Sequence, residues 1–119
     1  MTRAELAMLL DHSVLKPEST ERDILIGAGI VRDWQIGYYC VQLSWVKLAA
    51  DMLAGVESRV ASVVGFPHGC ESGDIKARQA AIAISDGAAE ILEDLRGACG
   101  VRDPVAIARP EHVTGSDVG

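Results

Sequence analysis

Two small groups of side chains in this sequence carry the functional groups that reactions require. In the first group, His68 and Cys70 flank Gly69 at the end of the stretch RVASVVGFPHG, and both residue types bind zinc. No second pair with zinc-ligand spacing follows, so a loop histidine beside an ordinary thiol is favoured, and no metal is predicted. With Cys40 and Cys99 the cysteines form an odd, scattered set, which is typical of reduced thiols in a cytoplasmic chain.

The second group is the three lysines, Lys16, Lys47 and Lys76. A lysine amine can condense with a carbonyl group to form a Schiff base when desolvation or a neighbouring cation favours its neutral form. Lys16 precedes Pro17 in a polar segment, where a lysine is more often a solvated charge than a nucleophile. None of the three lysines stands in such an activating setting by sequence.

Length and charge limit the kind of protein that can present these groups. The 119 residues fit one domain, and its core must come from Ala, Val, Ile and Leu because aromatic residues make up only 4%. The net charge of −6 comes from interspersed acids and bases, which argues against nucleic acid as a partner. No apolar run approaches the roughly 20 residues of a membrane span, and the acids within MTRAELAMLLDHS argue against a signal peptide.

Apolar spacing and capping residues predict four helices. The first carries Leu6, Leu9 and Leu10 and runs into an extended piece near Asp11. The second opens at Thr20, with Asp23 completing a variant of the capping box. Its apolar face and its C-terminal stop are predicted from Ile24, Ala28, Val31, Trp34 and Gly37. Gly27 and Gly29 are expected to weaken that helix by roughly 1 kcal/mol each.

The other two helices follow β-rich segments. SWVKLAADMLAG is predicted to be capped by Ser44, and SGDIKARQAAIAISDG by Ser72 or Asp74, with Gly87 beyond its end. YYCVQL, RVASVVGF and AEIL are typical of buried strands, and VAIA is a candidate for a further short strand.

Alternating strands and helices with short loops indicate an α/β protein with parallel strands. Two architectures fit this order: an open doubly wound sheet and a (β/α)₈ barrel. Both place functional groups at the carboxyl ends of the strands.

Three linked segments resemble one family, the deoxyribose-phosphate aldolases. They are LLDHSVLKPEST, YYCVQLSWVKLAADML, and VASVVGFPHG followed by DIKARQAAIAISDGAAEI. The resemblance covers about residues 6–91. It implies the N-terminal half of a TIM barrel, with three parallel strands and the start of a fourth.

In that family a lysine forms a Schiff base with 2-deoxyribose 5-phosphate, which is cleaved to acetaldehyde and glyceraldehyde 3-phosphate in deoxynucleotide catabolism. A second lysine and an aspartate assist proton transfer, and neither a metal nor another cofactor is expected. The resemblance implies that Asp11, at the end of the first strand, Cys40 and Phe66 line the substrate pocket. Without the motif, Asp11 would be interpreted as an exposed loop acid, Cys40 as a buried thiol and Phe66 as part of a strand terminator.

Other positions depart from the family pattern. Gln42 and Leu43 replace Asn-Pro, and Leu92 occupies the position of the catalytic aspartate, which removes the proton-transfer group. Glu93 is one residue away, so strand alternation would point it to the opposite face.

The Schiff-base lysine of the family lies on a late strand, and no lysine follows Lys76 here. Lys47 and Lys76 are expected on the outside of the barrel. The late glycine-rich phosphate loops are also missing, so the chain is predicted to be inactive alone.

The resemblance divides the chain into residues 1–92, the aldolase-like half-barrel, and residues 93–119, a divergent and poorly ordered tail. A change of reading frame near codon 92 would give such a tail. Two open sheet edges would promote self-association. The alternatives to an inactive aldolase fragment are a half-barrel interaction module, which completes its sheet by oligomerisation or with a partner chain, and a non-enzymatic module that binds protein through its acidic tail.

Overall fold

The computed structural model describes residues 1–93 and 106–108, with side chains described through Leu92. The helices are α1 (Arg3–Met8), α2 (Glu21–Trp34), α3 (Val46–Met52) and α4 (Gly73–Asp86). The strands are β1 (Asp11–Val14), β2 (Tyr38–Val41), β3 (Arg59–Val64), β4 (Glu90–Glu93) and β5 (Ala106–Ala108). The predicted alternation of four helices with four strands is confirmed.

Strands β1 to β4 pair in parallel, in the order in which they occur along the chain. A doubly wound sheet would reverse its strand order at a switch point and carry helices on both faces. Here α2, α3 and α4 pack against the same face, over a core that includes Tyr39, Val60 and Ile91 of three successive strands. This is the arrangement of a (β/α) barrel, so the prediction of an α/β chain with a partial barrel is confirmed.

Strand β5 changes one expectation about the edges of the sheet. It pairs antiparallel with β4, with Ile107 opposite Leu92. The edge of β4 is therefore covered, and the expectation of two open edges is wrong on that side. Between β4 and β5, and after β5, the predicted tail lies outside the described residues, so its disorder stays a prediction.

The core between sheet and helices is built mostly from Ala, Val and Ile, as the composition predicts. Tyr39 is its one fully buried aromatic residue among the described side chains, and its hydroxyl donates to the Ile24 carbonyl at 2.8 Å. Burial, and to a lesser degree the charge of Asp23, raise the pKa of Tyr39 to about 12. The phenol therefore stays protonated and keeps β2 attached to the first turn of α2.

The start of α2 agrees with the sequence prediction, and its end does not. The Thr20 hydroxyl accepts from the Asp23 N–H at 3.3 Å, and the Asp23 carboxylate accepts from the Thr20 N–H at 2.8 Å. The helix ends at Trp34, and Gln35 takes the left-handed conformation (φ 54°) that was expected of Gly37. A glycine is required at position 37 for a different reason. An added Cβ there would collide with the Met8 carbonyl.

Three other local predictions need correction. Ser44 makes no capping hydrogen bond, because a short 3-10 turn (Leu43–Trp45) leads into α3 instead. Trp34 is exposed on α2, where the Arg3 guanidinium lies 4.8 Å from its ring centroid. Leu6 of α1 and the two leucines that follow the helix, Leu9 and Leu10, are exposed as well. Ser72 does cap α4, and Gly87 (φ 117°) ends it as predicted.

The two glycines of α2 have different surroundings, which the sequence does not distinguish. An added Cβ at Gly27 would overlap the Tyr39 hydroxyl, which is held by its bond to Ile24. An added Cβ at Gly29 would meet nothing within 4 Å. Gly27 therefore allows β2 to approach the helix closely, whereas Gly29 only weakens the helix.

We predict that Gly27→Ala and Gly29→Ala change stability in opposite directions. Gly29→Ala should raise the free energy of unfolding by about 0.5–1 kcal/mol through helix propensity. Gly27→Ala should lower it by about 1–2 kcal/mol, because the cost of overpacking exceeds the same propensity gain. Urea denaturation followed by circular dichroism measures both, with each variant as the control for the other. Equal stabilisation by both variants would contradict the close packing of Tyr39 on α2.

Candidate functional site

The face of the sheet opposite the helices, called here the inner face, holds the candidate site. Cys40, Ala61 and Val63 form a small buried cluster on this face, separate from the main core. Leu15, Phe66 and Leu92 pack against this cluster. Because strand residues alternate between faces, the inner face receives every second residue of each strand, and in a complete barrel these residues fill the interior.

Three of the sequence-predicted positions meet in one cavity of about 220 Å³ on the inner face. Asp11, Cys40 and Leu92 all line it, together with Tyr38 and Glu90. Asp11 is the first residue of β1, so the expectation that it stands at the end of that strand is wrong. The cavity therefore lies toward the amino ends of the strands.

Phe66 lies apart from these three residues. It follows the carboxyl end of β3 and does not line the cavity, although it packs on the same inner cluster. The structure thus brings Asp11, Cys40 and Leu92 together and places Phe66 nearer the carboxyl ends, where barrel enzymes bind their ligands.

Cys40 lines this cavity and does not have the properties of a nucleophile. Its side chain is 1% exposed, and Ser13, its register partner on β1, donates a hydrogen bond to the Asp11 carboxylate at 2.9 Å. Burial first, and then the charge of Asp11, raise the pKa of the Cys40 thiol to about 12, against a smaller opposing effect of Ser13. The thiol therefore stays protonated at neutral pH, which removes the reactivity of a thiolate.

Leu92 places an apolar side chain on the inner face. It pairs with Val63 in the sheet and joins the apolar cluster, so no carboxylate stands at this position. Glu90, two residues earlier, lines the cavity and was missed by the sequence analysis. The signal was available, because residues two apart on a strand share a face. The expectation for Glu93 concerns a side chain outside the described part of the chain.

Gln42 gives a reason for one departure from the family pattern. Its side-chain amide donates to the Leu15 carbonyl at 2.9 Å and thereby connects the segments that follow β1 and β2. Gln42 therefore stabilises the carboxyl end of the sheet by joining these two segments.

Among the described residues, none of the sequence's three lysines lies on the inner face. Lys16 and Lys47 are exposed, the first beside α2 and the second on α3. Lys76 was expected on the outside, but it is 8% exposed, and its Nζ donates to the Gly69 carbonyl at 3.0 Å. It therefore holds the loop after β3 instead of facing a substrate.

That loop is fixed from several sides. Gly65 (φ 61°) has its N–H bonded to the Gln79 side chain at 3.0 Å, and an added Cβ there would lie 2.8 Å from Lys76 Cε. Gly69 (φ 70°) closes the turn through its N–H to the Gly65 carbonyl. These contacts fix the position of Phe66 at the carboxyl end of β3.

His68 and Cys70 lie on the exposed part of the same loop, where the Cys70 thiol lies 3.5 Å from the His68 carbonyl. No three His, Cys, Asp or Glu side chains within the described residues are grouped as metal ligands. The helices described here include none that is long and apolar enough to cross a membrane.

Comparison with known proteins gives a consistent result. No family model matches the chain. It is 41% identical over 86 residues to the deoxyribose-phosphate aldolase of Listeria welshimeri, covering 72% of this chain and 39% of that protein. It is 44% identical over 90 residues to the deoxyribose-phosphate aldolase of Mycolicibacterium paratuberculosis, covering 76% and 40%. The chain thus spans about two-fifths of the length of the curated relatives it matches.

A solved structure agrees at the level of the fold. The deoxyribose phosphate aldolase of Aeropyrum pernix, described as a tetramer, superimposes with a TM-score of 0.70 at 22% identity. The superposition covers 76% of this chain and 38% of that one.

We predict that Cys70 and Cys40 differ sharply in reactivity toward iodoacetamide at pH 8. Cys70 is exposed and should be alkylated in the folded chain. Cys40 should react only after unfolding, because it is buried and its thiol remains protonated. Peptide mass spectrometry with and without urea reads each site separately. Alkylation of Cys40 at the same rate as Cys70 in the absence of urea would contradict the closed inner cluster.

Proposed function

Because the matched part of this chain belongs to the deoxyribose-phosphate aldolase family, we propose that it forms one wall of an aldolase site and lacks the reacting groups. The reaction of the complete site is the cleavage of 2-deoxyribose 5-phosphate to acetaldehyde and glyceraldehyde 3-phosphate. Asp11, Cys40 and Phe66 are proposed as this chain's contribution, although only Asp11 and Cys40 share the cavity and Phe66 lies nearer the carboxyl ends of the strands. The 119 residues by themselves are proposed to be inactive.

The chemistry explains what is missing. An amine must add to the aldehyde carbon with loss of water, and a base must then remove the proton of the hydroxyl at the third carbon. The bond between the second and third carbons breaks, and the resulting enamine takes up a proton and is hydrolysed. Each step needs a group on the inner face that can exchange a proton or form the imine.

The observation that carries the proposal is the composition of the described inner face. Leu92 takes the position of the proton-transfer aspartate, and none of the three lysines lies on that face. The cavity of about 220 Å³ is also smaller than the ~300–1,000 Å³ typical of small-molecule sites. These features support a partial pocket whose other walls come from further strands.

A cytoplasmic location belongs to the same proposal. Cys40 and Cys70 are free thiols, which persist in a reducing compartment.

A second candidate function, a half-barrel interaction module, is favoured by one observation. Within the described residues, no strand pairs with the outer edge of β1. An open edge presents unpaired N–H and C=O groups that another strand can bind. We propose weak self-association through this edge when no other partner is present.

We predict no Schiff base and no turnover by the 119-residue chain with 2-deoxyribose 5-phosphate. The measurement is borohydride reduction followed by intact-mass analysis, together with an enzymatic assay for released acetaldehyde. The Listeria welshimeri relative is the positive control. Leu92→Asp should remain inactive, because it restores a carboxylate without supplying an amine. A stable adduct on Lys16, Lys47 or Lys76, or acetaldehyde release by the chain alone, would overturn the proposal.

A further inference from the structure

The loop that joins β3 to α4 has contacts on both sides of the sheet. On the inner side, the half-buried ring of Phe66 packs against the cluster that contains Cys40 and Val63. On the helix side, the backbone of the same loop is bonded by two side chains of α4, Lys76 and Gln79. A residue proposed for the pocket is therefore linked, through one short loop, to side chains that lie outside the pocket.

Three of the hydrogen bonds of this loop differ in strength. The Lys76 Nζ donates to the Gly69 carbonyl at 3.0 Å. The Gly65 N–H donates to the Gln79 side chain at 3.0 Å, and the Gly69 N–H donates to the Gly65 carbonyl. Of these, only the bond from Lys76 involves a charged group, and such bonds are roughly twice as strong as neutral ones. Lys76 is therefore expected to contribute most to the position of the loop.

Lys76 is the one charged side chain that is buried among those described, with 8% of its surface exposed. A lysine on a helix normally extends its amine into water. Burying an ammonium group costs free energy unless the group is hydrogen-bonded, so this placement requires a bond such as that to Gly69. A well-packed apolar side chain of similar volume would often stabilise the fold as well or better. Packing alone therefore does not account for a lysine at this position.

The methylene stem of Lys76 supports the start of the loop. A Cβ added at Gly65 would lie 2.8 Å from Lys76 Cε and 3.4 Å from a carboxylate oxygen of Glu71. Gly65 and Gly69 both have positive φ (61° and 70°), which glycine adopts more readily than other residues. Gly69 is buried, so without the lysine its carbonyl would reach water only if the loop moved. Loss of the amine is therefore expected to displace the loop.

We propose that Lys76 is a positioning residue, which holds the Phe66 ring against the inner cluster by fixing the loop at Gly69. Its amine acts as a hydrogen-bond donor to the backbone and takes no part in imine formation. The inference rests on the proposed function in one respect, because that function places Phe66 in the pocket. The alternative is a lysine that stabilises the fold as a whole and leaves the position of Phe66 unaffected.

Because the sequence contains a single phenylalanine, the position of Phe66 can be measured directly. The full chain labelled with 4-fluorophenylalanine gives one fluorine NMR signal, from position 66. In Lys76→Met, which removes the amine, this signal should move toward that of the urea-unfolded chain. Amide exchange at Gly65 and Gly69 should accelerate by about tenfold or more, because a charge-assisted hydrogen bond is lost. Lys47→Met is the matched control, since Lys47 is exposed on α3.

Two further variants separate positioning from a general structural role. Lys76→Arg keeps a donor and should retain the fluorine signal and the slow amide exchange of the unmodified chain. Gln79→Leu removes the weaker bond at Gly65 and should move the signal in the same direction by a smaller amount. The urea midpoint of Lys76→Met should change little, because methionine can fill a similar volume. A large loss of stability with an unchanged signal is the result expected of a purely structural lysine.

The outcomes are distinct. A displaced signal in folded Lys76→Met that Lys76→Arg restores supports the positioning role. An unchanged signal in folded Lys76→Met, an equal displacement in Lys47→Met, or a Lys76→Arg chain that behaves like Lys76→Met would overturn it. If Lys76→Met does not fold, a displaced signal in Gln79→Leu supports the proposal and an unchanged one overturns it. None of these measurements requires turnover. A borohydride-stable adduct on Lys16 or Lys47 would refute only the proposed function, whereas an adduct on Lys76 would refute both.

Discussion

The four parallel strands have helices on one face only, and this asymmetry governs the rest of the molecule. In β2, β3 and the described part of β4, the side chains that alternate toward the helices are buried, for example Tyr39, Val41 and Ile91. Those that alternate the other way form only a small cluster around Cys40. Tyr39 connects the layers, because its hydroxyl bonds to Ile24 at 2.8 Å and its ring leaves no room for a side chain at Gly27. The buried core of the described chain therefore lies mainly on the helix side, and the candidate cavity lies on the other side of the sheet.

This separation explains why the sheet can form whether or not the inner face carries reacting groups. Each strand–helix unit packs mainly on its immediate neighbours in sequence, so β1 to β4 form a sheet without the later strands. The reaction instead needs groups from several strands around a closed ring. Leu92 illustrates the difference, since it packs well against the apolar inner cluster at the position that we propose belongs to a proton-transfer group. A substitution that preserves packing can therefore abolish catalysis.

The features that the sequence predicted depend on local chemistry. The capping box of Thr20 and Asp23 involves only residues within one turn of the start of α2. The apolar run before Gly65 is typical of a strand that is buried on both faces, and it forms β3. The positions of Cys40 and Leu92 on one face follow from register and strand alternation. These predictions needed no knowledge of distant contacts.

The incorrect predictions all depended on contacts that composition and spacing do not reveal. Gln35 ends α2 in the left-handed conformation, whereas Gly37 is required because an added Cβ would collide with the Met8 carbonyl. Lys76 lies on the helix side as predicted, but its burial was not foreseen, because its amine reaches the Gly69 carbonyl across the loop. β5 pairs antiparallel with β4 across a long sequence separation, which no alternation of strands and helices indicates. Tertiary context decided each of these cases, as it does at most helix ends and sheet edges.

The two edges of the sheet illustrate what such a partial barrel needs. Water can satisfy the edge groups of a strand, but it cannot cover apolar side chains without a free-energy cost that grows with their exposed area. At β4 the edge is taken by β5 of the same chain, in the antiparallel sense. At β1 the edge remains unpaired within the described structure, beside Ile26 and Ile30. The open edge and the exposed apolar side chains Ile26 and Ile30 therefore coincide at β1, at the end of the described sheet opposite β5.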